Sequence, residues 1–442
     1  MLKTGGREFS ATVRLVAKNI ILLTVDALRA DHVSWAGYER ETTPLLDEFC
    51  EDALVFENAY SASSHTREAV PALLTGEHPT KAVDDGFTRG AATLPMRLPD
   101  AYATAAFHSN PYVSRAYGYG EGFDQFYDDL RLGQNWVLAL LQRALDKFVL
   151  RRGAYHTRAD KINERSLSWL ATREQPFFLW SHYMDVHGPY NPPEGYGEWS
   201  KAISNTTAQH LYDCLSDGTP SERDVKRSID LYDGEIRYVD AQIRQFLEAL
   251  DDRGLLEESI VVISSDHGDL FGEYGRYAHP RYVYPELTHV PFIMSGPDIG
   301  PGRVAAPVST LDIVPTALDA AGRPNPGLPG ESLLKADVTG QNRLVFSSAT
   351  GEGDNEEVRR FAIQTASQGL RLTREQSTGS VVEEAQYELP SSDTVNDDTD
   401  FDTLRDALLD HSDRRLDRVP TEQGVAEQNT DIEERLEALG YR

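Results

Sequence analysis

Residues Ser259–Asp269, SIVVISSDHGD, constrain this chain more than any other stretch. Ile260-Val261-Val262-Ile263 is a short, unbroken β-branched run, the pattern of a strand buried on both faces of a parallel sheet. The run stops at Ser264-Ser265-Asp266-His267-Gly268-Asp269, so a carboxylate, an imidazole and a glycine stand at the carboxyl end of a core strand. Open α/β sheets place their ligand sites along that edge. Asn19–Val25 repeats the arrangement and runs into Asp26-Ala27-Leu28-Arg29-Ala30-Asp31-His32. Two buried strands that each deliver an aspartate to one sheet edge have the geometry of a metal site.

Strand and helix patterns alternate along the chain as in a doubly wound α/β domain. Thr43–Ala53 reads as a helix with Pro44 near its start, and Leu54–Asn58 as a strand. Glu68–Thr75 is a short helix closed by Gly76, with Thr66 at its N-terminus, where free N–H groups and the helix dipole favour an anion. A hydroxyl there either attacks a phosphate or sulfate ester, once its pKa is lowered, or simply caps the helix. Tyr102–Phe107 is a strand ending in His108-Ser109-Asn110-Pro111, and Asp160–Thr172 is a helix. Pro176–Trp180 is a buried strand, followed by His182, Asp185 and His187, a polar cluster of metal or acid–base type. Ile229–Leu250 has strong helical periodicity, with Glu235 and Asp240 as solvated or ion-paired positions. Leu287–Met294 reads as a strand, and the Leu311–Ala321 helix closes a main domain spanning 1–335.

A small C-terminal subdomain, 336–442, follows. Leu344–Ser348, Phe361–Thr365 and Leu370–Glu375 are short strands of an antiparallel sheet, and Glu383–Asp402 is an acidic, partly flexible loop. Helices at Phe401–Leu409 and Ile432–Leu439 finish the chain.

The 71 acidic residues against 43 basic ones give a formal charge of −28, which excludes a generally basic nucleic-acid surface. Eight of the 43 are lysines. An acidic, lysine-poor surface suits a salt-rich cytoplasm where counter-ions screen self-repulsion, though an ordinary enzyme with an acidic tail reads the same way. Cys50 and Cys214 are too few for a disulfide framework and read as structural. No run approaches the ~18 apolar residues of a membrane span, and Met1–Lys18 carries no secretion signal, so the expected location is the cytoplasm. Trp136–Leu150 is an amphipathic helix with a basic end, either packed as core or lid or laid on a membrane surface.

In their order and spacing, seven segments resemble the sulfatase family within the alkaline phosphatase superfamily. They are VDALRADH at Val25–His32, GYERETTPLLDEF at Gly37–Phe49, PALLTG at Pro71–Gly76, HYMDVHGPY at His182–Tyr190, YDGEIRYVD at Tyr232–Asp240, SSDHGDLFGEYG at Ser264–Gly275 and ERLEALGY at Glu434–Tyr441. The resemblance implies an α/β fold: a three-layer αβα sandwich on a mostly parallel sheet, with a small C-terminal antiparallel α+β subdomain. It places metal ligands at Asp26, Asp266 and His267, and the nucleophile at Thr66. It makes His187 the histidine that protonates the leaving group or steadies the nucleophile. His108, Asn110 and His279 would surround the anion.

Departures from the family pattern carry information as well. Sulfate-cleaving members have a C/S-x-P-S-R core whose Cys or Ser becomes formylglycine. Here Thr66-Arg67-Glu68-Ala69-Val70 aligns with it, so formylglycine is not expected, and Arg67 stands beside the nucleophile out of register. Threonine nucleophiles resemble those of the superfamily's phosphodiesterases and phosphoglycerol transferases. Ala27 replaces the second aspartate of the usual pair, which leaves Asp26, Thr66, Asp266 and His267 as the ligand set. Such donors suit Mn²⁺ or Zn²⁺ better than Ca²⁺ or Mg²⁺. A two-metal alternative adds Asp185, His187 and His279, as in the superfamily's nucleotide pyrophosphatases. Three functions are consistent with this. The first is a metal-dependent hydrolase of sulfate or phosphate esters, small or carried on a glycan or lipid. The second is a transferase to a glycan or lipid hydroxyl, and the third a silent binding member.

Overall fold

The apolar run near the N-terminus is strand β1 (Asn19–Val25), buried along its whole length. Ile21, Leu23 and Val25 pack into one hydrophobic core and Ile20 and Leu22 into another, so no position is left for a polar alternation. This computed structural model describes residues 19–84, 88–129, 156–173, 176–201, 203–335, 343–352, 355–389 and 399–416. The helices expected at Trp136–Leu150 and Ile432–Leu439 lie outside the described residues.

The central sheet continues with β2 (Leu54–Phe56), β3 (Ala103–Phe107), β4 (Gln125–Tyr127), β5 (Phe177–Tyr183), β6 (Ser259–Ser265), β7 (Phe292–Ser295) and β8 (Gly302–Val304). Across the sheet the order is β8-β2-β7-β6-β1-β5-β3-β4. Strand β7 is antiparallel to both neighbours, and the other pairings are parallel. Helices are α1 (Pro44–Glu51), α2 (Thr66–Thr75), α3 (Ala159–Leu170), α4 (Asn205–Ser216), α5 (Glu222–Asp251), α6 (Ile313–Ala320) and α7 (Phe401–Asp413). Helices α1, α3, α4 and α5 cover one face of the sheet, and α2 and α6 the other. The result is the three-layer sandwich.

Strands β9 (Val345–Thr350), β10 (Val358–Gln364), β11 (Gln368–Glu375) and β12 (Val381–Glu388) form a separate antiparallel sheet in that order. Leu404 and Leu408 of α7 pack on its Phe361, Ile363, Leu370 and Leu372. Strand β9 reaches back to the main sheet's loops: Ser348 N–H donates to the Ala62 carbonyl at 2.9 Å, and Thr350 Oγ1 to Glu68 Oε1 at 2.6 Å.

Several expectations change. Residues 381–388 form an edge strand where an acidic loop was expected from 383, because Glu384, Gln386 and Glu388 alternate as exposed positions with the half-buried Ala385 and Tyr387. The Leu287–Met294 strand starts only at Phe292, since Pro285 opens a helical turn over Pro285–Thr288. Strand β5 runs to Tyr183, so Ser181 and His182 lie inside the sheet. Among the described residues no helix is long and apolar enough to cross a membrane.

Helix α7 meets the main domain through two histidines. The His78 and His411 rings lie 4.8 Å apart, and His411 stacks on Phe346 at 3.9 Å. Burial, helped by the Arg415 and Arg414 charges, pushes His78 down to about 3; burial, helped by the neighbouring His78, holds His411 well below its ordinary value. Depressed folded-state values mean that this stability is complete above the unfolded value of about 6.5 and is lost as pH falls. His411→Phe, which keeps the stack, should lower the midpoint of acid unfolding by roughly half a pH unit or more. Circular dichroism during acid titration checks this, and an unmoved midpoint refutes it.

Candidate active site

Register assembles the site. Val25 of β1 lies opposite Tyr183 of β5 and Ser265 of β6, so Asp26 and Asp266 leave the sheet at the same level. Ala27 then turns the chain with φ +60°, a left-handed conformation that costs about 1 kcal/mol for a residue with a Cβ. The turn aims Ala27 N–H at Asp266 Oδ1, at 3.2 Å, and His267 N–H meets the same oxygen at 3.0 Å. Asp266 Oδ2 has no hydrogen-bond partner.

Asp26 is held in the mirror fashion. Asn110 Nδ2 donates to its Oδ2 at 2.8 Å, and His182 Nε2 lies 3.1 Å from the same oxygen. Behind them, Trp180 Nε1 donates to Thr24 Oγ1 at 2.9 Å, and that hydroxyl meets His182 Nδ1 at 2.8 Å. An ionised Asp26 only accepts, so His182 Nε2 carries its hydrogen toward Oδ2, and Nδ1 of the neutral ring accepts the Thr24 hydroxyl. Asp26 Oδ1 is left without a partner.

The two partnerless oxygens converge on His267, whose Nε2 is 3.5 Å from each. Its Nδ1 donates to the Gly268 carbonyl at 3.0 Å, and its Nε2 meets Thr66 Oγ1 at 2.9 Å. Thr66 is the first residue of α2. Capping falls to His65, whose Nδ1 accepts the Arg67 N–H at 3.1 Å, so the Thr66 hydroxyl is not spent on the helix. Asp26, Thr66, Asp266 and His267 are all fully buried.

Electrostatics follow from this crowding. Burial and the Asp26 charge push the Asp266 carboxyl up. Burial opposes ionisation of Asp26 too, but the His182 hydrogen bond and the nearby histidines outweigh it and hold that carboxyl low. His267 is raised, because Asp266 and Asp26 overcome its burial. The pair resists carrying two bare charges, which fits a cation as the missing partner. Candidate ligands fall into two buried groups, Asp26 with His182 and Asp266, and His267 with Asp269 and His279, each with its atoms within 4.8 Å.

Beside the carboxylates lies a group of histidines. His279 Nδ1 is 2.7 Å from Asp269 Oδ1, and Tyr190 donates its hydroxyl to Asp269 Oδ2. The His279 ring lies 4.9 Å from those of His267 and His187, and 5.3 Å from that of His65. His187 Nδ1 donates to the Gly188 carbonyl at 2.6 Å, and burial pushes this imidazole down to about 4.

Other expected roles move. Asn110 donates to Asp26 and accepts from Tyr112 N–H, so its amide braces a carboxylate. His108 is boxed between Trp180 and Phe126, with its Nδ1 accepting the Asn110 N–H. Arg67 lies 4.1 Å over the Tyr112 ring. Asp185 faces Arg158 at 3.1 Å and His156 at 3.8 Å, and it is Asp269 that lies beside His279. Glu235 pairs with Arg158 at 2.7 Å, while Asp240 is buried and accepts the first N–H groups of α1. His182 was read only as part of a polar cluster, and Asp269, His65 and Arg281, which faces Glu352 at 3.2 Å, were given no role from sequence.

A sulfatase family profile matches residues 18–323. An arylsulfatase of Clostridium perfringens is 26% identical over 361 residues, covering 69% of this chain and 74% of its own. Arylsulfatase K of Homo sapiens is 34% identical over 363 residues, 72% of this chain and 66% of its own. The crystal structure of a phosphonate monoester hydrolase of Agrobacterium radiobacter superposes with a TM-score of 0.65 at 16% identity, over 96% and 95% of the two chains. Fold and site together define an α/β ester hydrolase of the alkaline phosphatase type. Within that class, the chain belongs to the sulfatase family.

Gly268 lets the site close. A Cβ there would stand 2.2 Å from the Glu286 carbonyl oxygen and 2.8 Å from Arg29 Cγ. Gly268→Ala should therefore destabilise the fold by about 2 kcal/mol through overpacking, visible as a lowered Tm, and an unchanged Tm would contradict the contact.

Proposed function

We propose that the chain hydrolyses sulfate or phosphate esters with Thr66 as nucleophile and a divalent cation held by Asp26, Thr66, Asp266 and His267. The observation that carries this is the convergence of Asp26 Oδ1 and Asp266 Oδ2, both without partners, on His267 Nε2. Buried carboxylate oxygens without donors need a cation or a proton opposite them. Carboxylates, one hydroxyl and one imidazole favour Mn²⁺ or Zn²⁺. Such an ion, when bound, lowers the pKa of the Thr66 hydroxyl and neutralises charge on the ester.

Thr66 Oγ1 forms the bond to sulfur or phosphorus as the bond to the departing alcohol oxygen breaks. The hydroxyl proton ends on that oxygen, giving free alcohol. Water then cleaves the threonyl ester, restoring the hydroxyl and releasing sulfate or phosphate. His279 suits the proton transfer better than His187: Asp269 holds its Nδ1 and so orients its ring, while burial keeps His187 neutral. A second reading, transfer to an alcohol in place of water, rests on Thr66 standing where a modifiable Cys or Ser would.

Thr66→Ala should lower turnover about a thousandfold or more with an unchanged fold. Full activity in that variant would move the nucleophile to Ser64, a fully buried hydroxyl two residues away. Chelation should lower both activity and Tm, with Mn²⁺ or Zn²⁺ restoring both. Asp266→Asn should lose the metal-induced rise in Tm, and His182→Ala should weaken metal affinity about tenfold. Rates on 4-nitrophenyl sulfate, phosphate and a phosphodiester, with and without glycerol, decide the ester class and the acceptor.

A further inference from the structure

Tyr190 lies in the loop that leaves strand β5, three residues after His187, and is 3% exposed. Aromatic rings from three other elements cage it: Tyr212 of α4 edge-on at 6.0 Å, Tyr232 of α5 edge-on at 5.4 Å, and Phe271 at 5.9 Å. The cage is itself pinned. Tyr232 donates its hydroxyl to the Ala27 carbonyl at 2.7 Å and accepts the Arg29 N–H at 2.9 Å. At Gly188 a Cβ would stand 2.1 Å from Tyr212 Cε2, so the loop lies hard against α4. A phenylalanine would fill this cage equally well. What the tyrosine adds is one hydroxyl, and that hydroxyl donates to Asp269 Oδ2.

Leu270 pairs with Ala278 in a two-stranded hairpin, which sets Asp269 and His279, just outside that pair, side by side. One carboxylate oxygen of Asp269 lies 2.7 Å from His279 Nδ1, and the other takes the tyrosine hydroxyl. Burial opposes the charge on Asp269, but His279 and the Tyr190 bond outweigh it and hold the carboxyl low, so it accepts from both. Burial raises the Tyr190 hydroxyl well above its ordinary range, so it stays a donor. A carboxylate held at one oxygen can pivot about its terminal torsion. Held at both, its plane is fixed, and so is the imidazole it meets.

We propose that Tyr190 is a positioning residue for leaving-group protonation, fixing the Asp269 carboxylate so that His279 faces the departing alcohol oxygen. This rests on the reading of His279 as the proton-transfer group. It adds no step: the bonds made and broken are those already given, and Tyr190 keeps its proton throughout. Its effect grows with the demand for that proton. A 4-nitrophenolate departs readily unprotonated, whereas phenolate, the stronger base, needs the proton more.

The test compares phenyl and 4-nitrophenyl esters of the class the enzyme turns over, by kcat/KM, which reports the step in which the alcohol departs. Tyr190→Phe should lower kcat/KM about tenfold or more on the phenyl ester and about threefold or less on the 4-nitrophenyl ester. Asp269→Asn should show the same dependence, which keeps the contact chain testable if Tyr190→Phe folds poorly. In the Asp269→Asn background, Tyr190→Phe should add no further loss. The metal-induced rise in Tm should persist in Tyr190→Phe. Equal losses on both esters, or none, overturn the proposal, as does a full further loss in the Asp269→Asn background. A vanished metal-induced rise overturns it too, by assigning Asp269 and His279 to holding the ion. The ratio between the two esters is readable whichever hydroxyl attacks, so failure here is distinguishable from failure of the Thr66 reading.

Discussion

Two carboxylates forced to the same height on adjacent parallel strands are the constraint from which the rest of this molecule follows. Strands β1 and β6 pair residue for residue, so Asp26 and Asp266 have no way to avoid each other. Like charges that close in a buried site cannot both be bare. One oxygen of each is therefore tied down, Asp266 Oδ1 by the Ala27 and His267 N–H groups and Asp26 Oδ2 by Asn110 and His182. The remaining oxygens point at one another's neighbourhood and at His267. Strain at Ala27 belongs to the same arrangement, since only the left-handed turn brings its N–H to Asp266.

Much of this was legible from residues alone, because buried parallel strands advertise themselves as unbroken β-branched runs and their ends as sudden polarity. The β1 and β6 ends, the Thr66 helix start and the His187 loop were all visible in that way. What stayed hidden depended on which atom faces which. Asn110 and His279 both follow strands and both looked like grips on an anion, yet Asn110 spends its amide on Asp26 while His279 is steered by Asp269. Asp185 looked like a ligand by proximity to His187, and a distant arginine, Arg158, claims it. Asp240 sits on a helix whose outer face is charged, and only tertiary packing shows it buried beneath α1. Strand β12 was masked by its glutamates, since an edge strand with one wet face carries too little apolar signal to register as one.

The histidine group works by division of labour. The His267 and His187 rings each lie 4.9 Å from that of His279, but the three environments differ. His267 faces two carboxylates, His279 has one carboxylate fixed on its Nδ1, and His187 has only a backbone carbonyl. His267 is raised by the carboxylates it faces and His187 lowered by burial, so identical side chains are set apart by what surrounds each ring.

Glu68 gives the small C-terminal sheet its meaning. This carboxylate, two residues after Thr66 and 1% exposed, accepts the Thr350 hydroxyl and N–H from β9 and the Ser63 hydroxyl from its own loop. The helix that begins at Thr66 is thus anchored from outside the α/β unit by an element some 280 residues further along the chain. The start of α2 shares its fixing with residues far along the chain, and a local helix depends on a distant strand for part of its hydrogen bonding.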